Sequence, residues 1–181
     1  EETEQTFWND VLGLPYEQAS KGPDWEKLRD RVENAEEGTF LPRGIVPACG
    51  VLLTAGADCQ GDRIEVTICA YGRNYRRWVV DHVVIPHFIG DQEGRDGLDA
   101  LLKATWRTSL GLRIPLDMVA VDEGTFTADV TDWSKRHPWT RAITVKGGST
   151  ANGPVLRPQQ DRKASGRAMR VQRRRWIVNV S

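Results

Sequence analysis

The chain has 181 residues, the usual size of one domain, and 39% of them are hydrophobic, which is enough for a core. No apolar run approaches the ~18 residues that cross a bilayer, so we expect no membrane partner, and no secretory signal opens the chain. The three cysteines and three histidines match no metal-ligand spacing, which argues against a zinc site and indicates reduced thiols in a cytosolic protein.

Charge is balanced overall but unevenly distributed. Residues 1–50 hold eleven acids against five bases, whereas residues 157–175 hold eight bases against the single acid Asp161. A local basic segment of this kind suggests a polyanion as partner. The alternative is a charged loop that is only solvated, which is common for such runs.

Residues 1–47 are typical of an arm rather than of an independent core. An aromatic and aliphatic segment at 7–16 is followed by a short predicted helix at 23–32 and by a connector rich in Pro and Gly at 38–47. We therefore predict a linker arm over residues 1–47 and one folded domain over residues 48–181.

Three antiparallel strands are predicted at the start of that domain. An apolar run at 51–60 ends in Asp58, and residues 63–71 alternate with Ile64, Val66 and Ile68 on one face. A hairpin turn at 72–74 leads into a third strand at 76–85. An acid that ends a buried strand is costly unless it is hydrogen-bonded or holds a metal.

The rest of the domain is predicted to alternate helices and strands. In chain order the predicted elements are a polar loop at 87–96, a helix at 98–106, a strand at 116–121, a helix at 128–136, a strand at 141–145 and a strand at 176–180. The strand at 116–121 again ends in an acid, Asp122. This order is that of the ribonuclease H-like fold, an α/β fold with a mixed sheet and helices on its faces.

In that fold the first and fourth strands are neighbours, so Asp58 and Asp122 are expected to converge. Converging carboxylates repel one another unless a cation lies between them, and Mg²⁺ or Mn²⁺ prefers such oxygen ligands. Two ions about 3.5–4 Å apart activate water and stabilise the leaving oxygen of a phosphodiester. The alternative is that each acid only caps a turn.

The chain resembles the large terminase subunit of lambda-type tailed phages, and the resemblance covers nearly its whole length. The segments that carry it are residues 7–16, 23–25, 53–65, 78–81, 98–102, 121–122, 145–147 and 176–178. In that family an ATPase motor precedes a ribonuclease H-like nuclease that cuts concatemeric double-stranded viral DNA. This sequence has no GxxxxGK[ST] phosphate loop, so it resembles the nuclease part only, with residues 1–47 as the segment that joins the nuclease to the motor.

The resemblance also implies a site, cofactors and partners. Asp58 becomes the first metal ligand and Asp122 the second, with two Mg²⁺ or Mn²⁺ ions as cofactors. Glu123 departs from the small or hydroxyl residue that is common there, and we prefer Asp122 because adjacent strand residues point to opposite faces. Asp129 is a weaker candidate. The third acid of such nucleases follows the last strand, so we expect it beyond Ser181 and expect the domain to be truncated there.

The implied partners are viral DNA, a small terminase subunit, the portal or procapsid and the ATPase domain of the same polypeptide, in the host cytoplasm. Lys146, at the end of a predicted strand, is a candidate for steering a phosphate, or is an ordinary loop lysine. Phosphate contacts are further predicted for the basic segment, at Arg162, Lys163, Arg167, Arg170, Arg173, Arg174 and Arg175.

Two other functions stay open from the sequence. One is another ribonuclease H-like nuclease, such as a Holliday-junction resolvase or a transposase core, although the segment from Phe7 to Tyr16 argues against it. The other is a catalytically silent DNA-binding or docking module that keeps the fold, which the missing third acid favours.

Overall fold

The computed structural model describes residues 25–33, 42–149, 153–159 and 174–179. The chain divides into two compact units, residues 1–40 and residues 41–181. Among the described residues, no helix has both the length and the apolar composition needed to cross a membrane.

The described part of the first unit is one short helix, α1, at Trp25–Glu33. It agrees with the predicted helix at 23–32. The acid Glu26 in its first turn favours the helix dipole. The Arg29 guanidinium lies 5.2 Å from the centre of the Trp25 ring and 2.8 Å from the Asp30 carboxylate. The predicted segment at 7–16 lies outside the described residues.

The second unit contains ten described strands and two described helices. In chain order they are β1 (Ile45–Val46), β2 (Leu52–Cys59), β3 (Ile64–Tyr71), β4 (Arg77–Ile85), α2 (Gln92–Lys103), β5 (Thr105–Thr108), β6 (Arg113–Pro115), β7 (Met118–Asp122), α3 (Thr127–Lys135), β8 (Ala142–Gly148), β9 (Leu156–Pro158) and β10 (Arg175–Asn179).

A mixed sheet of seven strands forms the centre of this unit. Its order is β4-β3-β2-β7-β8-β10-β9, and a small sheet has the order β1-β5-β6. The strands β2, β7, β8 and β10 run parallel, whereas β3 is antiparallel to both β2 and β4, and β9 to β10. The predicted α/β class, with three antiparallel strands before the strand–helix units, is therefore observed.

One face of the large sheet packs against α2 and α3 in a single core. Its fully buried members include Ile64, Val66 and Ile68 of β3, which confirms the predicted alternation of that strand. Leu98 of α2 and Trp133 of α3 pack into the same core. We expected helices on the faces of the sheet; the two described helices of this unit share one face.

The helix α2 begins six residues earlier than predicted, inside the expected polar loop. The sequence did not predict the first turns of α2, because they contain glycine, which is a poor helix former. Here the glycines are required by packing: a Cβ at Gly94 would overlap the Phe88 carbonyl oxygen, and one at Gly97 would lie 2.7 Å from Ile85 Cγ2. The helix also ends at Lys103, and Trp106 lies instead in β5, where it is buried.

Three further differences arise from strand pairing. Ile45 and Val46, which we placed in the arm, pair as β1 with β5. The strand β8 continues through Gly148, where it pairs with β10, so Lys146 lies within the strand rather than at its end. Short strands such as β9 carry too few residues for a periodic pattern, and the sequence did not predict them.

Asp99 joins the two helices across their interface. It accepts a hydrogen bond of 2.8 Å from Trp133 Nε1, and its carboxylate lies 2.9 Å from His137 Nε2. The indole of Trp133 is fully buried, so Asp99 satisfies a donor that has lost its contact with water.

We expect Asp99→Ala to lower the free energy of unfolding by about 1–3 kcal/mol, because the buried indole N–H then lacks an acceptor. Asp132→Ala is the matched control, since Asp132 is exposed and forms an ion pair of 3.4 Å with Lys135, which is exposed as well. Urea unfolding measures both variants. Equal losses would contradict a special role for Asp99.

Candidate active site

The carboxylates of Asp58 and Asp122 are brought side by side by two parallel strands. Ala57 of β2 pairs with Val121 of β7, so the next residue along each strand is an acid. Ala57 and Val121 are buried in the core, and alternation turns Asp58 and Asp122 to the opposite side of the sheet. We call this side the carboxylate face. Neighbouring strands lie about 4.8 Å apart, so the two acids are immediate neighbours.

Neither carboxylate is neutralised by a described residue. Asp58 Oδ2 accepts a hydrogen bond of 2.6 Å from Gln60 Nε2, and the Gly124 backbone N–H lies 3.4 Å from Asp122 Oδ1. In the described part of the chain, no Lys, Arg or His forms an ion pair with either acid. The pair therefore presents two negative charges without a described counter-charge.

The negative charges of both acids affect the pKa of the Cys59 thiol. Burial, followed by the negative charges of Asp58 and Asp122, raises the pKa of Cys59 to about 12. A thiol with a raised pKa stays protonated at neutral pH in the metal-free chain, so Cys59 is not a thiolate nucleophile there.

Glu123 points to the other side of the sheet. It is only 1% exposed, and its carboxylate accepts hydrogen bonds of 2.7 and 2.8 Å from Arg175 Nε and Nη2. The Thr144 hydroxyl donates a further hydrogen bond to it. Burial alone would raise the pKa of Glu123, but the hydrogen bonds from Arg175 and Thr144 and the charges of Arg175 and Lys146 lower it. Of the two adjacent acids, Asp122 is therefore the one beside Asp58.

Of two further acids, Asp129 is engaged elsewhere and Glu65 lies beside Asp58. Asp129, in the first turn of α3, forms an ion pair of 3.3 Å with Arg95. Glu65 pairs directly with Asp58 across β2 and β3, and so lies on the carboxylate face, where Arg63 Nε donates a hydrogen bond of 2.7 Å to it. Period-two alternation carries the signal for Glu65. In the described ranges, no group of three acids, cysteines or histidines has the geometry to hold a metal.

Two of the predicted DNA-binding arginines, Arg174 and Arg175, form hydrogen bonds and an ion pair within the fold. The charge of Arg175 faces Glu123, and the guanidinium of Arg174 donates hydrogen bonds to backbone carbonyls of Ser134 and, at 2.8 Å, of His137. Burial lowers the pKa of Arg174. Arg162, Lys163, Arg167, Arg170 and Arg173 lie outside the described residues.

Lys146 is exposed, and strand alternation places it on the side of Thr144 and Glu123. The structure therefore does not bring it together with Asp58 and Asp122. Its charge acts on Glu123 instead, by lowering the pKa of that carboxylate.

We expect Arg175→Ala to lower the free energy of unfolding by about 3–5 kcal/mol, because it leaves the Glu123 carboxylate buried without a counter-charge. The double variant Glu123→Gln/Arg175→Met removes both charges and should recover most of that loss. Urea unfolding measures the stability of the single and the double variant. A double variant as unstable as the single one would contradict this account.

The same ion pair makes stability depend on pH. The pKa of Glu123 is lower in the folded than in the unfolded chain, so its contribution is full above the unfolded value and is lost as the pH falls through the folded value. We expect Glu123→Gln/Arg175→Met to lose less stability than wild type between about pH 7 and about pH 3. Parallel pH dependences would show that Glu123 is not the group responsible.

Comparison with known proteins shows similarity to the large terminase subunits of two phages. The large terminase subunit of Escherichia phage lambda is 27% identical over 164 residues, which cover 90% of this chain and 24% of that protein. The large terminase subunit of Enterobacteria phage P21 is 28% identical over 164 residues with the same coverage. The chain thus spans about a quarter of the length of these relatives. No solved structure matches it significantly.

The family described as "Terminase large subunit gpA, endonuclease domain" matches residues 1–181. On this match over its full length, the chain belongs to the endonuclease domain family of the terminase large subunit gpA.

Proposed function

We propose that this chain is a metal-dependent endonuclease that hydrolyses phosphodiester bonds in both strands of viral DNA during packaging. The observation that carries the proposal is the pair Asp58 and Asp122, adjacent on parallel strands and on one face of the sheet. Family membership supplies the reaction class, and the pair supplies a place for the reaction.

We further propose that the fold is ribonuclease H-like. Three antiparallel strands in the order β4-β3-β2, followed by β7 and β8 parallel to β2, support this assignment. In this arrangement the acids of the first and fourth long strands of the sheet meet at one edge.

The donor set fits a divalent metal. Carboxylate oxygens are hard ligands of the kind that Mg²⁺ and Mn²⁺ prefer, and neither acid has a described cationic partner that would compete. Two such ions, when bound, would supply a water of lowered pKa and charge stabilisation for the leaving oxygen. Asp58 and Asp122 would hold them.

The surrounding residues keep the two acids in place. Gln60 donates to Asp58 and fixes one oxygen of that carboxylate, while the Gly124 N–H faces Asp122. The ion pair between Glu123 and Arg175 anchors the backbone directly after Asp122. Orientation of this kind limits the freedom of the ligands before substrate arrives.

The wider assignment follows the relatives, which are large terminase subunits. We propose that residues 1–47 join this domain to an ATPase motor in the same polypeptide, and that the small terminase subunit and the portal or procapsid are its partners. Its substrate would be concatemeric double-stranded viral DNA in the host cytoplasm. The match covers 24% of each relative, so an ATPase motor could lie in the unmatched part of such a polypeptide.

A second candidate is a catalytically silent DNA-binding or docking module. It is favoured by one observation, namely that the described residues contain no third acid placed to complete the metal site. Such a module would neither cleave DNA nor gain stability from a divalent ion. Other ribonuclease H-like nucleases, such as resolvases, are disfavoured by the family match over the full chain.

We expect the chain to nick or linearise supercoiled plasmid in Mn²⁺, and Asp58→Asn or Asp122→Asn to reduce the rate by about a hundredfold or more, because each removes a metal ligand. Asp62→Asn is the matched control, an exposed acid in the turn after β2. Mn²⁺ should also raise the melting temperature of wild type and of Asp62→Asn, but not of the two ligand variants.

Full cleavage by Asp58→Asn and Asp122→Asn would remove these acids from the site. Absence of both cleavage and Mn²⁺ stabilisation in wild type would support the silent module. Stabilisation without cleavage would indicate a metal site that needs a further ligand before it can cleave DNA.

A further inference from the structure

The turn between β3 and β4 concentrates positive charge at one end of the large sheet. Arg73, Arg76 and Arg77 are all exposed there, and Tyr75 at the tip is 100% exposed. We call residues 72–77 the arginine hairpin. Within the described residues none of the three guanidinium groups has an ion-pair or hydrogen-bond partner. Three like charges so close together repel one another and are stabilised by a polyanion.

The backbone holds this hairpin in a fixed and strained shape. Residues Arg73–Tyr75 form one 3₁₀ turn, in which Asn74 and Tyr75 have φ angles of +59° and +58°. Positive φ at two consecutive residues is the usual geometry of a tight hairpin turn, although it is unfavourable for a bulky residue such as tyrosine. Gly72 fixes the base, since a Cβ there would lie 2.6 Å from the Cys49 carbonyl oxygen and 3.1 Å from the Trp78 ring.

A shallow depression lies beside the turn, and residues of the arginine hairpin form part of its wall. Its volume is about 230 Å³, and it is lined by Arg73 and Arg76 together with Asn74, Cys49 and Val51. Two of the lining residues are arginines, and arginine provides paired donors for the oxygens of a phosphodiester.

The hairpin lies at the opposite end of β3 from the carboxylate pair. Ile64 begins β3 beside Cys59, and Tyr71 ends it beside Leu52. The seven steps of about 3.3 Å between the eight residues of β3 separate its two ends by about 23 Å, which equals about seven base pairs of duplex. The carboxylate face between them includes Gly56, where a Cβ would meet no described atom within 4 Å.

We propose that the arginine hairpin binds the phosphate backbone of the DNA duplex about seven base pairs from the position where Asp58 and Asp122 act. This inference rests on the proposed function for the identity of the polyanion. Contacts of this type fix the position of the duplex and contribute affinity without selecting sequence. The hydroxyl of Tyr75 is one more donor for a phosphate oxygen.

The test measures binding to a fluorescent duplex of about 30 base pairs over a range of salt concentrations, without divalent ions so that no cleavage occurs. Arg73→Gln/Arg76→Gln/Arg77→Gln should reduce the slope of log K against log salt by about 2.7, since each lost phosphate contact removes about 0.9. The charge-retaining variant Arg73→Lys/Arg76→Lys/Arg77→Lys should keep the slope near that of wild type.

The matched control is Lys103→Gln/Arg107→Gln/Arg136→Gln, which removes three exposed charges from other elements and should leave the slope unchanged. Equal slopes for wild type and the hairpin variant, equal losses in the hairpin and control variants, or no binding by wild type would each overturn the proposal. Single substitutions, each expected to reduce the slope by about 0.9, replace the triple variant if it fails to fold.

This outcome is separable from that of the proposed function. Stabilisation of wild type by Mn²⁺ reports the carboxylate pair and should be unchanged in the hairpin variant. If Mn²⁺ did not stabilise wild type, that result would count against the metal site. The salt dependence of DNA binding, measured without metal, would still show whether the arginine hairpin binds DNA.

Discussion

The register between β2 and β7 is the constraint on which the candidate site depends. Parallel strands end at the same edge of a sheet, so an acid at each end meets the other only if the pairing is in step. A shift of one residue would turn one acid into the core, because side chains alternate. The buried pair Ala57 and Val121 prevents such a shift, since either residue would otherwise exchange places with a charged neighbour.

The end of β7 places two consecutive carboxylates in opposite environments. Asp122 stays on the carboxylate face without a described counter-charge, whereas Glu123 is buried and compensated by Arg175. Burial of a charge requires a partner, and here the partner comes from β10, two strands away across the sheet. The position of Asp122 is thus coupled to the docking of a strand that is distant in sequence.

Much of this arrangement is encoded in local patterns that can be recognised without a structure. Alternation in β3 and apolar runs that end in Asp58 and Asp122 indicated the strands and the pair. Alternation also predicted that the side chain of Glu123 points to the side of the sheet opposite Asp122. Composition alone could not reveal that Arg174 and Arg175 bind carbonyls and a carboxylate within the fold, because a basic run gives no information about its partner. Gly94 and Gly97 concealed the start of α2, since their packing against Phe88 and Ile85 is a tertiary requirement.

The ion pair between Glu123 and Arg175 also determines where this domain can be shortened. A chain that ended before Arg174 would retain both Asp58 and Asp122, yet β8 would become an edge strand with unpaired backbone groups, and an uncompensated charge would lie beneath it. Exposed edges of this kind promote association between molecules. The smallest unit that avoids both the buried charge and the exposed edge therefore extends through β10. It ends well past the last residue of the described chain that the candidate chemistry uses.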